Sequence, residues 1–130
     1  MENEVILLDT SILIEYYRKK DKSKSTLFRL TNINSKFAVS AITLFEIYTG
    51  ANHEQLIFWN DFFKEITVLS FDSEVSIQAA DINKTLKQIR KQIDIPDLFI
   101  AATAIKHNLL CATLNKKHFE RIKDIKLIQL

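Results

Sequence analysis

The 130-residue sequence carries 18 Lys and Arg against 16 Asp and Glu, a formal net charge of +2, with 47% hydrophobic and 26% charged residues. This balance excludes intrinsic disorder and any whole-protein field that would advertise nucleic acid, and it suits one domain spanning residues 1–130. A lone cysteine, Cys111, excludes an internal disulfide framework or a cysteine-cluster zinc site.

No apolar run approaches the ~18 residues of a membrane span, and the acidic start Met-Glu-Asn-Glu is unlike a secretory signal, so a cytoplasmic protein with no membrane contact is expected. Glycine and proline occur once each, at Gly50 and Pro96, which predicts mostly helix with short connections.

In chain order, Glu4 to Asp9 reads as a short buried strand ending on a carboxylate, and Thr10-Ser11 signals a helix start before Ile12 to Tyr17. Arg18 to Lys24 is a basic loop or frayed helix end, and Ser25 to Asn34 a short helix. Lys36 to Ser40 is a second strand, followed by a helix from Ala41 that carries Glu46. Residues 53 to 65 are apolar at helical spacing, their aromatics (Phe58, Trp59, Phe62, Phe63) serving core or an oligomer contact, and Thr67 to Phe71 is a third strand. Asp72 or Ser73 caps a long helix to about Ile93, with Lys84, Lys87, Arg90 and Lys91 on a polar face. Past Pro96 come a helix through Ile105, a strand from Leu109 to Thr113, a helix from Lys116 to Ile122 and a last strand from Lys126 to Leu130. Strands alternating with helices predict an α/β fold with a mainly parallel sheet of about four to five strands.

Such sheets bind ligands beyond the carboxyl ends of their strands. Asp9 ends the first strand, while Glu46 and Asp97 lie early in helices and among apolar neighbours, where an unpaired carboxylate is costly. Each has an ordinary use taken singly: Asp9 as a helix cap, Glu46 as a lysine partner, Asp97 as an acid at a helix start. Together they suit a hard divalent cation, Mg2+ or Mn2+, and hydrolysis of a phosphodiester.

Leu7-Leu8-Asp9-Thr10-Ser11, Phe45-Glu46-Ile47-Tyr48-Thr49-Gly50, Ile95-Pro96-Asp97-Leu98-Phe99-Ile100-Ala101-Ala102 and Thr113-Leu114-Asn115-Lys116-Lys117-His118-Phe119 stand in that order. They resemble the PIN-domain ribonucleases, in particular the VapC-type toxins of toxin–antitoxin modules. The resemblance implies a three-layer α/β/α fold and an endoribonuclease dependent on Mg2+ or Mn2+. It also implies a homodimer, or a larger toxin–antitoxin assembly, silenced by a cognate antitoxin. By the same resemblance Asp9 and Asp97 are the direct metal ligands, Glu46 completes the site or positions water, and Ser11 and Thr113 support an acid or touch substrate.

Many relatives carry a fourth acid where this chain has Asn115, a neutral amide that weakens a two-metal reading. Asp94 reads as a solvated loop acid, His118 as a surface or packing residue, and His53 and His107 as structural or exposed. Gly50 suits close helix packing and Phe119 core filling. Positive charge for an RNA backbone is sought in Arg18 to Lys24, Lys84 to Lys91, and Lys116 with Lys117; the preference for RNA rests on the resemblance alone. A PIN nuclease outside a toxin module and a catalytically inactive PIN-like binding protein stand as alternatives.

Overall fold

In the computed structural model, which describes residues 4–34 and 36–130, the branched run after Glu4 forms β1 (Ile6–Leu8), buried on both faces as a central parallel strand is. Most of the acidic start, Met1 to Asn3, lies outside the described residues. The chain continues through α1 (Thr10–Arg18), α2 (Thr26–Thr31), β2 (Phe37–Ser40), α3 (Ala41–Gly50) and α4 (His53–Phe62). It then forms β3 (Thr67–Leu69), α5 (Ser73–Gln88), α6 (Ile95–Lys106), β4 (Leu110–Ala112), α7 (Lys116–Phe119) and β5 (Lys126–Leu127). All strand pairs are parallel, in the order β3-β2-β1-β4-β5, with Leu7 of β1 opposite Ala38 of β2 and Cys111 of β4.

Alternation of side chains along the strands divides the core into two layers. Leu7 and Cys111 pack with Val75 and Leu86 of α5, Ile100 of α6 and Phe119 of α7. Ile6, Leu8, Val39 and Ala112 pack with Ile12 and Leu13 of α1, Leu27 of α2, Ile47 of α3 and Trp59 of α4. The result is the three-layer α/β/α sandwich expected. Trp59 is buried, and Phe58, Phe62 and Phe63 form a continuous ring cluster with it and with Tyr16, Tyr17 and Tyr48. These aromatics therefore fill the layer of α1, α3 and α4. Among the described residues, no helix is long and apolar enough to cross a membrane.

The helix starts follow the sequence closely: Asp9, Ser25, Ser40, Asn52 and Asp72 each accept a backbone N–H at an N-terminus. The ends do not. α5 stops at Gln88 rather than Ile93, because Arg90 turns to φ 55° and the Lys91 and Arg90 N–H groups close back on the Leu86 and Lys87 carbonyls. Asn108, also at φ 55°, ends α6 in the same way. α7 stops at Phe119 instead of Ile122 because Arg121 and Ile122 tighten onto carbonyls three residues back.

A left-handed conformation at a residue with a Cβ costs on the order of 1 kcal/mol, and Arg90 bears that cost. Arg90→Gly should raise the melting temperature by about 2–5 °C, checked by thermal unfolding followed by circular dichroism. An unchanged or lower midpoint would show that the Arg90 side chain stabilises the turn by more than its backbone strain.

Candidate active site

Successive connections leave β1 for β2 on one side of the sheet, and the chain later returns to lay β4 on the other. The crevice at the carboxyl ends of β1 and β4 is therefore the switch point where α/β sheets bind ligands. Asp9 follows β1 there and Thr113 follows β4.

Asp9 is 3% exposed and is the N-cap of α1. Its Oδ2 accepts hydrogen bonds from Ser11 Oγ at 2.6 Å and Thr113 Oγ1 at 2.8 Å. Each hydroxyl is itself fixed by a backbone donor, the Leu114 N–H to Ser11 Oγ at 3.0 Å and the Asn115 N–H to Thr113 Oγ1 at 2.9 Å. Two hydroxyls thus hold one carboxylate oxygen and leave the other for a ligand.

Asp97 is the third residue of α6, where unpaired N–H groups and the helix dipole favour a carboxylate. Its Oδ2 accepts from Asn115 Nδ2 at 2.9 Å and lies 3.4 Å from His118 Nδ1, which is 2.8 Å from the same amide nitrogen. These contacts are satisfied when Asn115 donates one N–H to each neighbour and the imidazole carries its proton on Nε2. Burial raises the pKa of the Asp97 carboxyl, the negative charge of Asp9 raises it further, and the adjacent His118 opposes them only in part. Among the described residues, no lysine or arginine nitrogen lies within 4.0 Å of either carboxylate to offset this.

Glu46, in the second turn of α3, is oriented differently. Its Oε1 lies 2.7 Å from Thr10 Oγ1, which is 2.9 Å from Thr43 Oγ1. Because a carboxylate only accepts, the Thr10 proton goes to Glu46. Among the described residues, no group of three or more His, Cys, Asp or Glu side chains lies close enough to grip one metal ion. Asp9 and Asp97 are joined through Thr113 and Asn115, whereas Glu46 is held apart from them by Thr10. Two neighbouring carboxylates fit a single hard divalent ion, which usually keeps waters and takes one or two protein carboxylates.

In the sequence Thr10 reads only as a helix start; the signal for its further role is a hydroxyl directly beside a strand-end aspartate. Thr10→Val should lower any metal-dependent turnover about 10–100-fold by freeing Glu46, while Thr10→Ser keeps most of it. Equal loss in both variants, measured as kcat at saturating metal, would contradict the hydrogen-bond role.

Other residues singled out in the sequence are placed as follows. His118, read as a surface or packing residue, sits half-buried against Asp97 and Asn115. A Cβ at Gly50 would meet no atom within 4 Å, so close helix packing does not explain this glycine. His53 and His107 are exposed, and Asp94 is an exposed acid at the start of α6 whose charge adds to the upward push on Asp97. Burial, with the nearby charges of Asp9 and Asp97, pushes the Cys111 thiol far up, so it stays protonated as a small core residue. In the basic stretch after α1, Lys22 is spent on structure: its Nζ donates to the Tyr16, Tyr17 and Lys19 carbonyls at 2.7–2.8 Å.

Residues 6–125 match the family described as PIN domain, and the chain belongs to that family. It is 38% identical to Ribonuclease VapC1 of Methanocaldococcus jannaschii over 127 residues, covering 97% of this chain and 87% of that protein. It is 30% identical to Ribonuclease VapC2 of Haemophilus influenzae over 121 residues, covering 89% and 90%. Among solved structures, VapBC2 from Rickettsia felis bound to a promoter DNA fragment superposes with a TM-score of 0.84 at 25% identity, covering 97% of this chain and 98% of that one. DNA-bound VapBC from Salmonella typhimurium gives 0.84 at 26% identity, covering 96% and 97%.

Proposed function

We propose that this PIN-domain protein, one domain over residues 1–130, is an endoribonuclease dependent on Mg2+ or Mn2+ and the toxin of a toxin–antitoxin pair. The observation that carries the reading is the pair Asp9 and Asp97, brought together beyond the carboxyl ends of β1 and β4 and held by Ser11, Thr113 and Asn115. Relatives named as VapC ribonucleases and structural neighbours that are VapBC complexes support the same reading, including an antitoxin partner.

Asp9 and Asp97 would hold the cation; when bound, such an ion supplies an activated water and neutralises the charge of a scissile phosphate. Ser11 and Thr113 keep Asp9 aimed, and Asn115 keeps Asp97 aimed. Glu46, fixed by Thr10, orients the attacking water or accepts its proton. The Ser11 and Thr113 hydroxyls are engaged as donors to Asp9, which leaves hydrolysis by water as the reaction that these residues serve. The protein would act in the cytoplasm, on RNA, as a homodimer or a larger assembly with its antitoxin.

The test is incubation of purified, antitoxin-free protein with a pool of mixed structured RNA in Mg2+, Mn2+ or EDTA. Cleavage that needs metal establishes the nuclease and gives its target from the fragment ends. If a folded preparation cleaves nothing with either metal, the enzyme reading is overturned in favour of a non-catalytic PIN-like binding protein.

A further inference from the structure

α5 and α6 form an antiparallel pair, with Glu74 at the start of one 3.6 Å from Lys106 at the end of the other. Their connection, residues 89–94, therefore lies at the same edge of the sheet as Asp97. There, Arg90, Lys91, Lys117, Glu120 and Arg121 line a cavity of about 380 Å3 between this connection and α7. Four of its five lining side chains are cationic. Among the described residues none of the four makes an ion pair within 4.0 Å. The feature is also built: Arg121 Nη1 donates to the Gln92 carbonyl at 2.9 Å, fastening α7 to the connection. Arg90 holds its place in a left-handed conformation where glycine would be unstrained. A local rule broken at a cost in stability points to a use for the side chain.

The cavity adjoins the acidic crevice directly, since Lys117 precedes His118, whose ring touches Asp97. A polyanion whose phosphate sits at Asp9 and Asp97 must continue past the edge of a negatively charged site, and neighbouring cations offset that repulsion. We propose that Arg90, Lys91, Lys117 and Arg121 form a track for the backbone phosphates of a single RNA strand on the α7 side of the acidic site. This inference rests on the nuclease reading above and adds the direction in which the substrate leaves the centre. It assigns to the residues after Gln88 a role that a polar helix face would not have.

The test uses a fluorescein-labelled oligouridine RNA of about 12 nucleotides, a length within the span of single-strand grooves, in EDTA so that cleavage is absent. Binding is followed by anisotropy across a sodium chloride series for the wild type and two triple variants. The first, Arg90→Gln/Lys91→Gln/Lys117→Gln, spares the Arg121 bond to Gln92. The second, Lys36→Gln/Lys64→Gln/Lys106→Gln, removes the same charge at the opposite edge of the sheet. The first should reduce the slope of log affinity against log salt by about 2, as loss of three phosphate contacts on a single strand does, and the second should leave it unchanged. If the first triple does not fold, Lys91→Gln and Lys117→Gln singly should each remove about 0.7 from the slope.

An unchanged slope in the first variant, equal losses in both triples, or no binding by the wild type at low salt overturns the track. An unchanged slope leaves the patch to an acidic protein surface instead. The two readings fail separately: cleavage with no slope difference sinks the track alone, and a slope difference without cleavage in any metal sinks the nuclease alone.

Discussion

Asparagine at position 97 should lower RNA cleavage by about 1,000-fold or more at saturating Mg2+ or Mn2+, equivalent to roughly 4 kcal/mol of transition-state stabilisation. The same substitution should stabilise the metal-free protein. Burial and the charge of Asp9 raise the folded-state pKa of Asp97 above its unfolded value, so the ionised carboxylate weakens the fold at neutral pH. In the wild type, the stability associated with this group is greatest below the ordinary carboxyl pKa. It is lost as pH rises through the raised folded value. An amide keeps the contact with Asn115 and removes the charge, so the melting temperature in EDTA at neutral pH should rise by about 2–4 °C. The gain should vanish at acidic pH, where the wild-type carboxyl is protonated in both states. Melting curves of both proteins in EDTA across that range decide the matter. A lower midpoint for Asp97→Asn at neutral pH would mean that the carboxylate stabilises the fold, contrary to its surroundings.

The second large effect concerns Phe119, which is 0% exposed and packs into the core layer of α5 and α6 from the last residue of α7. Phe119→Ala should cost about 3–5 kcal/mol, the sum of lost burial and a cavity that a close-packed layer cannot collapse. That is a large share of the ~5–15 kcal/mol by which a domain is stable. Urea unfolding should show a lower midpoint with the slope retained. Because α7 also carries His118 and follows Asn115, the alanine variant should lose metal-dependent activity at temperatures where its core still holds. A loss under ~1 kcal/mol would show that the layer repacks around the missing ring.

The path from Ile6 to Asp9 was legible because an aliphatic run that ends on a carboxylate and a hydroxyl pair has few other uses at a strand-to-helix turn. Asp97 was legible for the same reason, an acid just inside a helix that opens with proline. The role of Thr10 was not, since its bond to Glu46 spans 36 positions and depends on how α1 lies against α3. The contact of His118 with Asp97 is not legible, because a four-residue helix has no periodicity to show which side is covered and Asp97 is 21 positions away. The end of α5 was overrun because Ile89 and Lys91 continue the helical pattern and no glycine marks the stop. The chain reverses on Arg90 instead, and only the carbonyls it closes upon reveal that.

The tie between Thr113 and Asp9 joins groups 104 positions apart. Asp9 is synthesised 104 residues before the hydroxyl that holds it. A growing chain therefore carries Asp9 long before Thr113 holds it in place, and a domain of this kind assembles as a unit. The order of synthesis therefore sets when Asp9 acquires its fixed orientation: only after β4 and the turn beyond it have joined the sheet.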